Sequence, residues 1–206
     1  MTRGRFIVFE GIDGSGKSTQ ARLLHQRLVG MGLASHCTSE PTGGPIGALI
    51  RDCLAGRIHL DERAIASLFA ADRLDHLLNE ADGIAAKVSA GAAVISDRYY
   101  FSSYAYHGAF MPMGWVIEAN ALSREILRPD VNIFIDAPPE ACVARISGSR
   151  GNIEKYEKID VLTKVREQYF IAFERMKGSE NVVVIDGAGP VQETERRIWD
   201  CVKAIL

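Results

Sequence analysis

The sequence predicts a three-layer α/β fold built on a doubly wound parallel sheet, and three observations carry that prediction. Four short, continuous apolar runs, Phe6–Phe9, Ala92–Ser96, Val131–Ile135 and Val182–Ile185, have the length of strands and acidic residues at their ends. Strands covered on both faces read as continuous apolar runs rather than as alternation, so these belong in a parallel sheet between helices. Segments of helical period lie between the runs. The third observation is a glycine-rich loop at the junction of the first run and the first helix.

In chain order, Phe6–Phe9 opens the sheet and is too short for a signal peptide or a membrane span. Ser18–Leu28 places Ala21, Leu24 and Leu28 three and four residues apart, the stripe of a half-buried helix. Asp61–Leu78 starts at a capping Asp61 and carries Ala64, Leu68, Ala71 and Leu78 as its expected apolar stripe. Val161–Met176 has the same period. The Gly- and Ser-rich stretch Ser147–Asn152 lies between helical segments and reads as a mobile loop. No linker, repeat or low-complexity segment divides the 206 residues, so a single domain is expected.

Composition narrows the function. Charged residues at 24% and hydrophobic ones at 47% match an ordinary globular protein and exclude disordered, collagen-like and membrane classes. A net charge of -2 supplies no general basic field for a polyanion, so no nucleic-acid and no membrane partner is expected, and any phosphate recognition must be local. Cys37, Cys53, Cys142 and Cys201 are scattered, without a C-x-x-C pair, which argues for reduced thiols and a cytoplasmic location.

The chemistry begins in the glycine-rich loop. Gly11-Ile12-Asp13-Gly14-Ser15-Gly16-Lys17-Ser18 fits G-x-x-x-x-G-K-[ST], after a strand and before a helix, as a phosphate cradle requires. Backbone N–H groups curve around phosphate oxygens, and the helix starting near Lys17 adds its positive N-terminal end. Lys17 reaches the β and γ phosphates, Ser18 is the expected ligand to Mg²⁺, and Thr19 continues the site. The loop establishes ATP or GTP rather than a reaction, because P-loops serve switches and motors as well as kinases. Asp97 closes an expected strand, where open parallel sheets bind ligands, and is read as a second Mg²⁺ holder, with Arg98 beside it as a fork for an acceptor phosphate. Phe69 and Arg73 are four apart on one expected helix and share a face, offering a ring for a base and a cation for its acceptor edge.

These residues carry a family resemblance. Phe9-Glu10-Gly11 through Ser18-Thr19-Gln20 resembles the opening of thymidylate kinases. Glu40-Pro41-Thr42-Gly43-Gly44-Pro45-Ile46-Gly47, followed by Arg51, is similar to that family's Glu-Pro loop. Leu68-Phe69-Ala70-Ala71-Asp72-Arg73 resembles its base-binding helix, and Asp97-Arg98-Tyr99 through Ser102-Ser103-Tyr104-Ala105-Tyr106 its D-R-Y segment. The resemblance implies a P-loop nucleoside monophosphate kinase-like fold with a helical lid at about 145–157. It also implies ATP and Mg²⁺ as co-substrate and metal, dTMP as acceptor, and a homodimer. It places Phe69 on thymine, Arg73 at O4, Arg51 and Arg98 on the monophosphate, Asp13 on the 3'-hydroxyl, and Tyr106 against the sugar 2' position. Glu40, Ser102 and Ser103 join the substrate side. Arg145 is either an adenine platform or a surface charge.

Two positions depart from the family pattern. His107 stands where Gln is common, and Ser15 where one subgroup carries an arginine near the cradle. With no arginine in the loop, the lid becomes the expected source of charge for the transferring group, led by Arg150 and Lys155. A deoxynucleoside kinase would instead need a carboxylate base for a 5'-hydroxyl, and Arg51 with Arg98 favours a monophosphate acceptor. A regulatory P-loop switch remains the alternative of a different class; no guanine-specifying N-K-x-D segment is present.

Overall fold

The computed structural model describes residues 3–149 and 156–206. Its sheet has five parallel strands in the order β2-β3-β1-β4-β5, with β1 Phe6–Glu10, β2 Ser35–Ser39, β3 Ala93–Asp97, β4 Val131–Asp136 and β5 Val182–Asp186. The four expected apolar runs all became strands. The fifth, β2, was not anticipated, because its sequence Ser-His-Cys-Thr-Ser has no apolar run; it is an edge strand, half-buried at most.

Helices cover both faces, so successive residues of β1 enter different cores. Phe6 and Val8 join Tyr99, Tyr104, Phe134, Val165 and Tyr169 on one face. Ile7 and Phe9 pack on the other with Ala21, Leu24 and Leu28 of α1 (Lys17–Gly30) and Ile198 and Val202 of α10 (Val191–Val202). The first core is closed by α5 (Tyr100–Gly108) and α9 (Ile159–Arg175).

Between these elements lie α2 (Pro45–Leu54), α3 (Glu62–Leu78), α4 (Ile84–Ser89), α6 (Met113–Ala119), α7 (Ala121–Ile126) and α8 (Pro139–Ser149). Asp61 caps α3 as expected, accepting the Arg63 N–H. The apolar stripe expected on this helix is a correction: Ala64, Ala71 and Leu78 are exposed and Leu68 only half-buried, while Ile65, Ala66, Ala70, Asp72, Arg73 and Leu77 face inward. The helix turns a partly polar face to the interior because that face holds a loop, as shown below. A second correction concerns Ser147–Ser149, which continue α8 rather than forming a loop; the rest of the expected mobile loop, Arg150 to Asn152, and Lys155 of the expected lid lie outside the described residues.

Candidate active site

The loop after β1 turns sharply into α1, and its glycines are there for two separate reasons. Gly14 has φ +80 and a Cβ there would meet the Cys142 carbonyl at 2.5 Å, so the loop lies flat on α8. Gly16 has φ +100 with nothing within 4 Å of a would-be Cβ, which leaves the mouth of the cradle open to an anion. Lys17 is buried and donates to the Ile12 carbonyl at 2.9 Å, closing the loop on itself. Burial and the neighbouring Arg98 charge lower its pKa, against the pull of Asp13, Asp97 and Glu10. Gly11, Ile12 and Ser15 do not reach the cavity wall; they are buried behind it and shape the turn, while Asp13, Gly14, Gly16, Lys17, Ser18 and Thr19 line it.

Ser18 and Asp97 meet as expected. The Ser18 hydroxyl donates to Asp97 Oδ2, and Asp97 Oδ1 is buried with no hydrogen-bond partner among the described residues. A hydroxyl, a carboxylate and an orphaned carboxylate oxygen beside a phosphate cradle are the hard oxygen donors that suit Mg²⁺. No group of three or more His, Cys, Asp or Glu side chains among the described residues could hold a metal.

Arg98 follows β3 in the left-handed region, φ 78, the one non-glycine residue with positive φ among the described residues. Such a backbone persists only where its surroundings over-determine it. Here its N–H donates to the Phe9 carbonyl at 2.9 Å, and its Nη1 to the Gly11 carbonyl at 3.3 Å and Ser102 Oγ at 2.9 Å. Nη2 pairs with the Asp13 carboxylate and reaches the Tyr106 hydroxyl at 3.2 Å, and the guanidinium sits 4.8 Å from the Tyr106 ring centroid. Tyr106 donates in turn to Asp13 Oδ2 at 2.8 Å. Burial alone would raise the Asp13 pKa, but Arg98, Lys17 and these hydrogen bonds outweigh it and bring it down to about 2. Asp13, Arg98 and Tyr106 are therefore one charged cluster joining the cradle to the second half of the cavity.

That second half is a wall of side chains. Phe69 lies with its ring centroid 5.1 Å from that of His107, and both line the cavity. Arg73 is 1% exposed and held from several sides: Nε donates to Glu40, Nη2 to the Tyr99 carbonyl and Nη1 to Ser103 and Asn120, and Nη2 lies 2.7 Å from the same Glu40 oxygen as an ion pair. A base acceptor at Arg73 competes with these partners for the guanidinium. Glu40, expected on the substrate side, lines the cavity and gives its oxygens to Arg73 and His76. Arg51, on α2, is exposed at the cavity edge and donates to the carbonyls of Pro41 and Thr42. Arg145, on α8, spans the Gly14 and Gly187 carbonyls at 3.2 Å each and presents a flat guanidinium at the opposite end.

Several residues of the site escaped sequence reading. Glu10 is fully buried; its Oε1 accepts the Tyr99 N–H at 3.0 Å and its Oε2 the Ser102 hydroxyl at 2.5 Å and the Tyr169 hydroxyl at 3.0 Å. Burial raises its pKa to about 7 against those hydrogen bonds and the charges of Arg98 and Arg73. Its one sequence signal is an acid closing an apolar strand. Tyr156 lines the cavity, donates to Glu62 Oε2 at 2.7 Å and sets its ring 5.9 Å from that of Tyr106. Nothing local marks Tyr156, because its role depends on α3 and α5 meeting α9.

A phosphate cradle at the C-terminal end of the central strand, opening into a second pocket lined by cations and an aromatic ring, defines a P-loop kinase of the nucleoside monophosphate kinase kind. A family model described as thymidylate kinase matches residues 9–198. The chain is 38% identical to a putative thymidylate kinase of Treponema pallidum over 196 residues, covering 94% of this chain and 92% of the relative. It is 38% identical to a probable thymidylate kinase of Pyrobaculum aerophilum over 202 residues, 98% and 97% of the two chains. With a probable thymidylate kinase of Pyrococcus horikoshii the identity is 40% over 174 residues, 81% and 82%. The chain belongs to the thymidylate kinase family.

Proposed function

We propose that this chain transfers the γ-phosphoryl group of ATP to dTMP, giving dTDP for dTTP synthesis. The observation that carries the reading is one cavity of about 770 Å³ in which the cradle (Gly14, Lys17, Ser18), the cations Arg51 and Arg98, and the base wall (Phe69, Arg73, His107) share a continuous surface. That volume suits two nucleotides held end to end, and phosphoryl transfer needs little beyond alignment and charge stabilisation.

In this reading Lys17 neutralises the β and γ phosphates of ATP, and Ser18 with Asp97 holds Mg²⁺, which when bound with ATP supplies further neutralisation of the phosphate oxygens. Arg98, held by Asp13 and Ser102, faces the phosphate being attacked, and Arg51 meets the acceptor phosphate from the other side. Asp13 and Tyr106 border the sugar, and Arg145 stacks on the donor base. Arg150 and Lys155 supply the remaining cations from the lid at about 145–157. The acceptor oxygen is already anionic, so no protein nucleophile or base is required.

The 206 residues act as a single domain, and a homodimer is part of the proposal: Leu78, Trp115 and Leu122, on α3, α6 and α7, are 55%, 43% and 54% exposed, an apolar stretch on neighbouring helices that a second copy would cover. Cytoplasmic work is likewise proposed; among the described residues no helix is long and apolar enough to cross a membrane. A turnover assay with ATP, Mg²⁺ and a panel of nucleosides and monophosphates tests the reading. Phosphorylation of dTMP above all others is expected, and a preference for thymidine, or hydrolysis of ATP without an acceptor, would overturn it.

A further inference from the structure

The inward face of α3 carries Phe69, Asp72, Arg73 and His76 at i, i+3, i+4 and i+7, the spacing that aligns four side chains. Three of them hold the end of β2 and the loop after it at alternate residues. His76 Nε2 meets Thr38 Oγ1 at 2.7 Å, and Arg73 and His76 Nδ1 hold the Glu40 carboxylate at 2.8 and 3.2 Å. Asp72, 2% exposed, takes Thr42 with both oxygens: Oδ2 accepts the Thr42 N–H at 2.7 Å and Oδ1 its hydroxyl at 2.6 Å.

Thr42 passes this hold on. Its Oγ1 accepts the N–H of Gly44 at 3.1 Å, and Gly44 is the N-cap of α2. Helix α2 also packs directly on the loop, since a Cβ on Gly47 would lie 2.0 Å from the Thr42 carbonyl oxygen. Arg51, near the other end of α2, donates back to that same carbonyl and to that of Pro41. The ring closes from Asp72 through Thr42 and Gly44 to α2, Arg51 and Thr42 again. Asp72 directs its charge at Thr42 rather than at Arg51, and no carboxylate among the described residues pairs with Arg51. The Arg51 charge is thereby held in place without being cancelled.

We propose that Asp72 is a positioning residue for the acceptor phosphate, acting through Thr42 and the cap of α2 to aim Arg51, so that the helix that reads the base also sets the cation for the phosphate. The inference rests on the assignment of dTMP and Arg51 given above. Its test compares binding of dTMP with binding of thymidine, which has the base and sugar but no phosphate, by calorimetry on Arg51→Ala, Thr42→Val, Asp72→Ala and Asp72→Asn.

Arg51→Ala is expected to weaken dTMP by ~10–100-fold, the worth of a charge-assisted hydrogen bond, and to leave thymidine unchanged. Thr42→Val and Asp72→Ala should do the same by roughly 5–30-fold, with the KM for dTMP rising and the KM for ATP constant. Asp72→Asn, which keeps an acceptor for the Thr42 N–H, should recover part of the loss. Adding Thr42→Val to Arg51→Ala should cost nothing further, because both act on one contact. Equal weakening of thymidine and dTMP by Thr42→Val or Asp72→Ala would make Asp72 a support of the base wall alone and overturn the proposal. A silent Arg51→Ala would remove the Arg51 assignment and the proposal together, whereas an effective Arg51→Ala with silent Thr42→Val and Asp72→Ala would remove only the proposal. Thr42→Val keeps the buried carboxylate, so it decides the matter if Asp72→Ala does not fold.

Discussion

The phosphate cradle and the base wall face each other across one cavity but are made of different material. The cradle is backbone: glycines at positive φ, a helix N-terminus and a single lysine bonded to its own loop. The wall is side chain, a buried network in which Arg73, Glu40, Asn120, Ser103 and His76 already satisfy one another. A backbone cradle accepts any polyphosphate that fits its curve, so it supplies binding without much choice. A wall of fixed side-chain donors and acceptors favours a ligand whose own groups match them, so it supplies selectivity.

The widest consequence of that contrast lies in the base. Cytosine presents an amino donor where thymine has O4, and beside the Arg73 guanidinium that leaves donor facing donor. We expect kcat/KM for dCMP to fall by ~10⁴-fold against dTMP, while dUMP, lacking one methyl, falls by only about 10–200-fold. The ratio of the three rates measures it, and dCMP outrunning dUMP would break the distinction between wall and cradle.

The cradle is tested by its lysine. Lys17→Ala should lower kcat by roughly 10²–10³-fold with an unchanged circular dichroism spectrum, since its charge acts on phosphate rather than on the core. Near-normal turnover would mean that the charge is met elsewhere. Asp97→Asn is expected to raise the Mg²⁺ concentration needed for half-maximal rate by about 10–100-fold at saturating ATP, and an unchanged Mg²⁺ dependence would remove Asp97 from the metal site.

The smallest effect belongs to Glu10, which stands where the two regions join. Its folded pKa, pushed up to about 7 by burial, lies above the ordinary glutamate value of 4.5, so its contribution to stability is complete below 4.5 and is lost as pH rises through 7. Glu10→Gln cannot ionise and should flatten that part of the profile. Thermal melts between pH 4.5 and 8 should show the wild type losing stability relative to the variant, by no more than roughly 3 kcal/mol. Parallel curves would show that the carboxyl keeps one protonation state throughout.

The same contrast explains what could be read from the sequence. The cradle was legible because its chemistry is local: Gly11 to Ser18 are contiguous and lie between an apolar strand and a helix. β1, β3 and β4 were legible because both their faces are covered, and β5, an edge strand with Val184 exposed, because it still carries an apolar run; β2 at the other edge has none. On α3 the sequence marked Phe69 and Arg73 but misplaced the apolar stripe, since a helix that buries Asp72 and Arg73 against a loop cannot be recognised without the loop. The partners of Glu40 were hidden for the same reason: Arg73 and His76 lie more than thirty positions along the chain.

The position of β1 has a consequence for how the protein is made. The first of the sheet's five strands in chain order, it is also the central one, pairing Phe6 with Val94 on one side and Ile7 with Val131 on the other. The cradle that follows it therefore has no rigid support until β3 and β4 have left the ribosome, and contacts of such wide separation close late and slowly. A nascent chain halted before Val131 would carry the complete nucleotide motif in a sheet still open along one edge of β1, exposing to other chains a strand that is buried along its whole length in the folded molecule.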